Sequence, residues 1–152
     1  MKNRYRHIRK LVFLVYFFIL FPSFGFGEYI QDWLVCGPFP NDIQAIRLRK
    51  DYLHGEIIQV PSTGTFSGGQ IWRAYTAPTE RVSFLPSELG FPVTTNAVTY
   101  THIYLYSPQK QKVKFYIGSD DGVAVWLNGQ NLLFNDVYRG LTPDQDIVDA
   151  EL

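Results

Sequence analysis

The stretch FYIGSDDGVAVWLNGQNLLF, Phe115 to Phe134, decides the fold. Two strand-like runs meet at SDDG, and the second turns back at Asn128-Gly129. A type I′ turn needs positive φ at both central residues, and Asn-Gly supplies it. With that pair as the loop, Leu127 faces Gln130, Val125 faces Leu132 and Val123 faces Phe134. The apolar residues then share one face, as a half-buried ribbon requires. Trp126 points away from Val125 and Leu127.

The same period of two runs outward from this ribbon. In KQKVKFYIGS, Val113, Phe115 and Ile117 point one way, and Lys112, Lys114 and Tyr116 the other. In NAVTYTHIYLYSP, Val98, Tyr100, His102, Tyr104 and Tyr106 share one face. Trp33 to Cys36 reads as a strand stopped by Gly37-Pro38, Ile57 to Val60 as one stopped by Pro61, and QIWRAYTA as a third. Val82 to Leu85 is a weaker strand, and Ile147 to Leu152 begins another. Asn41 to Leu53 holds the best helix pattern, short and loosely periodic. Ten Tyr and twelve Phe suit β structure. These signals predict an all-β domain: two antiparallel sheets packed as a sandwich.

The net charge of zero hides an asymmetry. Residues 1–27 carry Lys2, Arg4, Arg6, Arg9 and Lys10 and no acid. Nine basic residues are then left to face all 14 acidic ones, a net charge of about −5 beyond the leader. Such a domain offers no footprint for nucleic acid. The basic opening is followed by an apolar run, Leu11 to Phe21, and by Pro22, Ser23, Gly25 and Gly27. That is the form of a secretory signal peptide, a helix in residues 1–27 cleaved after Gly27, with Gly25 the second choice; the alternative is an uncleaved membrane anchor. Its apolar core of about eleven residues is shorter than a bilayer span. Residues 28–152 form the β domain, placed outside the cell, in the periplasm or in the envelope, with membrane contact only through the leader. Cys36 is the single cysteine, so no internal disulfide forms, and it reads as a small buried hydrophobe.

DWLVCGPFPN, DYLHGE, IW, TYTHIYLYSP, GSDDGVAVWLNG and RGLTPDQDIVDAEL stand in this order from Asp32 to Leu152. Together they resemble a group of secreted bacterial domains with the galactose-binding-like β-sandwich, a jelly roll. These are relatives of sugar-binding domains appended to glycoside hydrolases. The resemblance implies a non-catalytic, carbohydrate-binding module, alone or at the front of a larger exported enzyme. In that group the final segment continues into a further strand, so the domain is expected to be incomplete at its C-terminal strand. A narrower likeness rests on SDDG, which resembles the Asp-Asp pair of protective-antigen-type lectin domains. There the pair holds Ca²⁺, and the ion holds sugar hydroxyls.

Asp120 and Asp121 therefore have two readings. Their carboxylates supply two of the six to eight oxygens that Ca²⁺ needs, with Asn128, Asn135 or Asp136 as further candidates. Alternatively Asp and Asn bond their own backbone, and SDDG simply turns a corner. Trp126 stacks on a sugar ring if its face is open, widened by Tyr100, Tyr104 and Tyr106; otherwise it is core of the second layer. Arg139 either clamps Asp144 or Asp146 or contacts ligand. The expected ligand-binding set is Trp126, Asp120, Asp121, Arg139 and Tyr104, with Asp120 and Asp121 as the possible Ca²⁺ pair. Apart from that structural Ca²⁺, no cofactor is expected. The partner is a carbohydrate or a neighbouring domain. No nucleophile elbow, zinc-binding His-Glu-x-x-His, phosphate loop or dinucleotide fingerprint is present, so the chain does not read as an enzyme. A structural or protein-interaction sandwich without a sugar ligand is the alternative.

Overall fold

The structure, a computed structural model, describes residues 29–41, 47–84, 89–90 and 96–152. The expected signal peptide, residues 1–27, lies outside the described residues. Among those described, no helix is long and apolar enough to cross a membrane.

The described chain is all-β, with nine strands in several antiparallel sheets. They are β1 (Asp32–Pro40), β2 (Phe66–Ser67), β3 (Gln70–Ile71), β4 (Arg73–Thr76), β5 (Ala97–His102), β6 (Lys112–Ile117), β7 (Val123–Leu127), β8 (Gln130–Asn135) and β9 (Asp146–Glu151). One sheet has the order β4-β1-β5, and three ribbons pair β2 with β3, β6 with β9 and β7 with β8.

Strand β1 is the spine of the core. It does not stop at Gly37-Pro38, as expected from Gly and Pro, but runs on to Pro40. The pairing with β5 shifts by one residue between Cys36–Tyr100 and Phe39–Val98, so a bulge absorbs the Gly-Pro pair. Gly37 sits at φ 139°, which a side chain would strain. Around this strand pack Cys36, Phe39, Tyr52, Leu53 and Trp72, with Leu34, Val98 and Tyr100 at the edge. Phe39 meets Tyr52 at 5.3 Å and Tyr100 edge-on at 5.6 Å. Trp72 is a core residue, whereas Trp33 is half-buried and donates its indole N–H to the Ile30 carbonyl at 3.0 Å.

Other expectations shift locally. Ile57 to Val60 is not a strand: Glu56–Ile58 is a 3-10 turn. Asp51 nucleates that turn by accepting from the Leu53, Gly55 and Glu56 amides, a local bond that competes with a ladder. Of the Asn41–Leu53 helix candidate, residues 42–46 lie outside the described residues, and Arg47–Arg49 is one 3-10 turn. Val82 to Phe84 lie outside any strand, and Leu85 is not among the described residues. Strand β5 ends at His102, so Tyr104 and Tyr106 lie beyond the strand and are exposed.

The alternation of β6 holds as read: Val113, Phe115 and Ile117 are half-buried, and Lys112, Lys114 and Tyr116 are exposed. Its partner is β9, with Phe115 opposite Val148 and Lys114 opposite Asp149. Among the described residues, all fully buried ones fall between Val35 and Ala77, and from Ile103 to Leu152 the apolar side chains are half-buried or exposed.

Candidate functional site

The β7–β8 hairpin turns at Asn128-Gly129, with φ 51° and 81°. Leu127 faces Gln130 as the turn demands, but the register then departs from the simple count. Trp126 faces Asn131, Val125 faces Leu133 and Val123 faces Asn135, so Leu132 is the extra residue of a bulge. The Asn131 amide spans it, donating to the Val125 carbonyl at 3.4 Å and the Leu133 carbonyl at 3.2 Å. The slip turns Phe134 out to solvent and Asn135 inward, where Asn135 donates to Asp146 Oδ1 at 3.3 Å.

That contact belongs to a network around the turn between β6 and β7. Arg139 donates from Nη2 to Asp146 Oδ2 and to Ser119 Oγ, the latter at 2.6 Å. Its Nε reaches Ser119 Oγ and the Asp121 carbonyl, both at 3.3 Å. Its backbone N–H donates to Asp121 Oδ1 at 3.1 Å. Ser119 Oγ–H donates to the Asp121 carbonyl at 2.8 Å, and the Ser119 amide donates to Gln145 Oε1 at 3.2 Å. The Arg139 bond holds the Asp146 carboxyl below the usual carboxylate range. The clamp on Asp146 is thus the structural ion pair, and Asp144 is exposed at φ 58°.

Two glycines let the turn seat. A Cβ on Gly118 would lie 2.4 Å from the Thr142 carbonyl oxygen, and one on Gly122 would lie 2.9 Å from that of Asn135. The peptide bond joining Asp120 to Asp121 is cis. Both aspartates are exposed. The acidic pair makes a corner, braced from behind by Arg139.

The predicted site residues fall into separate places. Asp121 and Arg139 are bonded, and Asp120 is beside them in the chain. Trp126 is half-buried in β7, and Tyr104 is exposed with its hydroxyl donating to the Pro61 carbonyl at 2.8 Å. Neither has a hydrogen bond or ring contact to the Asp turn among the described residues. Among the described residues, no three His, Cys, Asp or Glu side chains converge as a metal site. For Ca²⁺ the turn offers Asp120 and Asp121 as a partial oxygen set, with the Arg139 guanidinium close by.

Ser119 and Gln145 were not legible as site residues. The sequence signal for Ser119 is the pair of glycines bracketing Ser-Asp-Asp, and Gln145 has none. A second polar cluster joins Glu56 to Tyr100. Tyr100 donates to Glu56 Oε2 at 2.7 Å, and its oxygen accepts from the Tyr52 amide at 3.2 Å. Burial raises the Glu56 carboxyl above its ordinary value, and the Tyr100 bond offsets part of this. Burial also pushes the Tyr100 phenol up. The pair ties the 51–58 turn to β5.

Comparison with protein families, with curated proteins and with solved structures returns no match to this chain.

Proposed function

We propose that this chain is an exported, non-catalytic β-sandwich module of jelly-roll type that binds carbohydrate. One observation carries the reading: the Asp120-Asp121 turn is exposed, yet held by a frame of Arg139, Ser119, Gln145 and Asp146. A turn needed only to reverse the chain does not require a bracing guanidinium. Sugar hydroxyls are met by acceptors held in place, and a pre-ordered acceptor loses little entropy on binding. Asp120 and Asp121 are the proposed acceptors, directly or through a Ca²⁺ ion. Trp126 and Tyr104 are the proposed stacking surfaces. Arg139 positions the turn.

Glycan arrays and affinity gels test this. The expectation is retention by a polysaccharide at millimolar affinity, reduced at least about tenfold, or ~1.4 kcal/mol, in Asp120→Asn/Asp121→Asn. Loss on chelation, restored by Ca²⁺, assigns the ion. Absence of retention across arrays and gels ends the sugar reading.

A second reading, a module that packs on a neighbouring domain, is favoured by a different observation. Ile57, Ile58, Val60, Phe66 and Ile71 are exposed, and Trp126 is half-buried. If Trp126→Ala lowers stability but leaves sugar retention unchanged, Trp126 belongs to packing.

A further inference from the structure

We propose that His102 is an acid-sensitive latch that holds Tyr104 and the segment after β5 in place while its imidazole is neutral. The ring lies between two aromatic walls: Trp72 edge-on at 6.2 Å, and Tyr104 at 4.6 Å with 66° between planes. Leu34 stands opposite on β1. The Nε2 atom is buried and has no hydrogen-bond partner among the described residues.

A neutral imidazole tolerates this because one nitrogen need not donate. In the imidazolium both nitrogens are donors, so protonation at either one leaves Nε2 a charged donor with nothing to receive its proton. Burial accordingly lowers the affinity of His102 for a proton.

The surrounding groups do not change the sign. Tyr100 and Tyr104 stand two residues to either side of His102, and Cys36 comes from β1 opposite Tyr100. Glu56 reaches this face only through its bond to Tyr100, and Asp51 is tied to the turn amides. Arg73, next to Trp72, is exposed. Burial is the one cause acting on the His102 proton.

One wall can move. Trp72 is fully buried, with its indole N–H donated to Ser67 Oγ at 3.3 Å and its amide to the Thr65 carbonyl at 2.8 Å. Tyr104 is 62% exposed and lies outside any strand. Water reaches a protonated Nε2 most readily by displacing Tyr104 and breaking its bond to Pro61. For a module whose Tyr104 stacks on ligand, as proposed above, the latch makes that face acid-labile. The latch is read without ligand, so its failure and that of the sugar reading are separate results.

The test is an NMR titration of the full chain, with amide exchange of residues 103–107 corrected for the intrinsic rate. The result expected is a His102 midpoint below the ordinary imidazole range. Opening of the segment should rise by up to about tenfold per pH unit between the ordinary and the folded values. His102→Gln should flatten that rise, and His102→Phe serves if the amide variant does not fold. A His102 midpoint at or above the ordinary value overturns the latch. So does segment exchange that ignores pH, or that responds equally in the variant.

Discussion

Arg139 and Asp146 form an ion pair whose side chains are only 17% and 16% exposed, and the same guanidinium reaches Ser119 in the turn that carries Asp120 and Asp121. One side chain therefore ties the start of β9 to the β6–β7 turn. Arg139→Ala leaves the Asp146 carboxylate with only Asn135 among the described residues and frees the turn. The expected loss is about 1–3 kcal/mol, measured by urea unfolding, with faster amide exchange at residues 119–122. An unchanged midpoint would show that the clamp is dispensable.

The pH dependence of that clamp has a defined sign. The Asp146 carboxyl is held below its ordinary value when folded. The unfolded chain therefore binds its proton first as pH falls. The contribution is present above the ordinary carboxylate value and is lost as pH drops through the folded one. Asp146→Asn should lower stability at neutral pH and flatten the acid limb of the unfolding curve.

Glu56 carries the opposite sign. Its carboxyl is raised by burial, so the folded state keeps the proton to higher pH than the unfolded chain. Stability from this group falls as pH rises from the ordinary value through the raised one. Glu56→Gln should remove that decline. Tyr100→Phe strips the donor, raises the Glu56 midpoint further and costs about 1–2 kcal/mol at neutral pH.

Gly118 and Gly140 differ in what a methyl would meet. At Gly118 it runs into the Thr142 carbonyl oxygen at 2.4 Å, whereas Gly140 has open space. Gly118→Ala should cost about 1–3 kcal/mol, and Gly140→Ala should change stability by less than about 1 kcal/mol. Parallel thermal melts decide between this and a generic intolerance of alanine in the loops.

Cys36 is fully buried, and burial pushes its thiol up to about 11. The thiolate is the reactive form, so a disulfide reagent at neutral pH should label Cys36 only on unfolding. Rapid labelling of the native chain would mean that the core around β1 opens readily.

The all-β class and several strands could be read from the chain because a period of two is a local property. Val113, Phe115 and Ile117 alternate with lysines, and Asn128-Gly129 admits the left-handed φ that a tight hairpin needs. Bulges are not local in this sense. The slip at Leu132 depends on Asn131 finding the Val125 carbonyl across the ribbon, and the Gly37-Pro38 bulge depends on β5 continuing alongside. Each shifts by one residue which side chains face inward, and the slip at Leu132 brings Asn135 to Asp146.

For the candidate site, sequence alone determined the types of group present: two adjacent acids, an arginine after the hairpin, and tyrosines in alternation. Tertiary structure alone decided which of them meet. Arg139 selects Asp146 over Asp144 because β9 begins at Asp146, opposite Ile117 at the end of β6, and Ser119 follows two residues beyond that strand. Tyr104 is kept from that cluster because β5 stops at His102 and its hydroxyl is drawn to Pro61. A charge or a ring has a partner only where distant backbone segments converge, and the spacing of residues along a chain does not carry that distance.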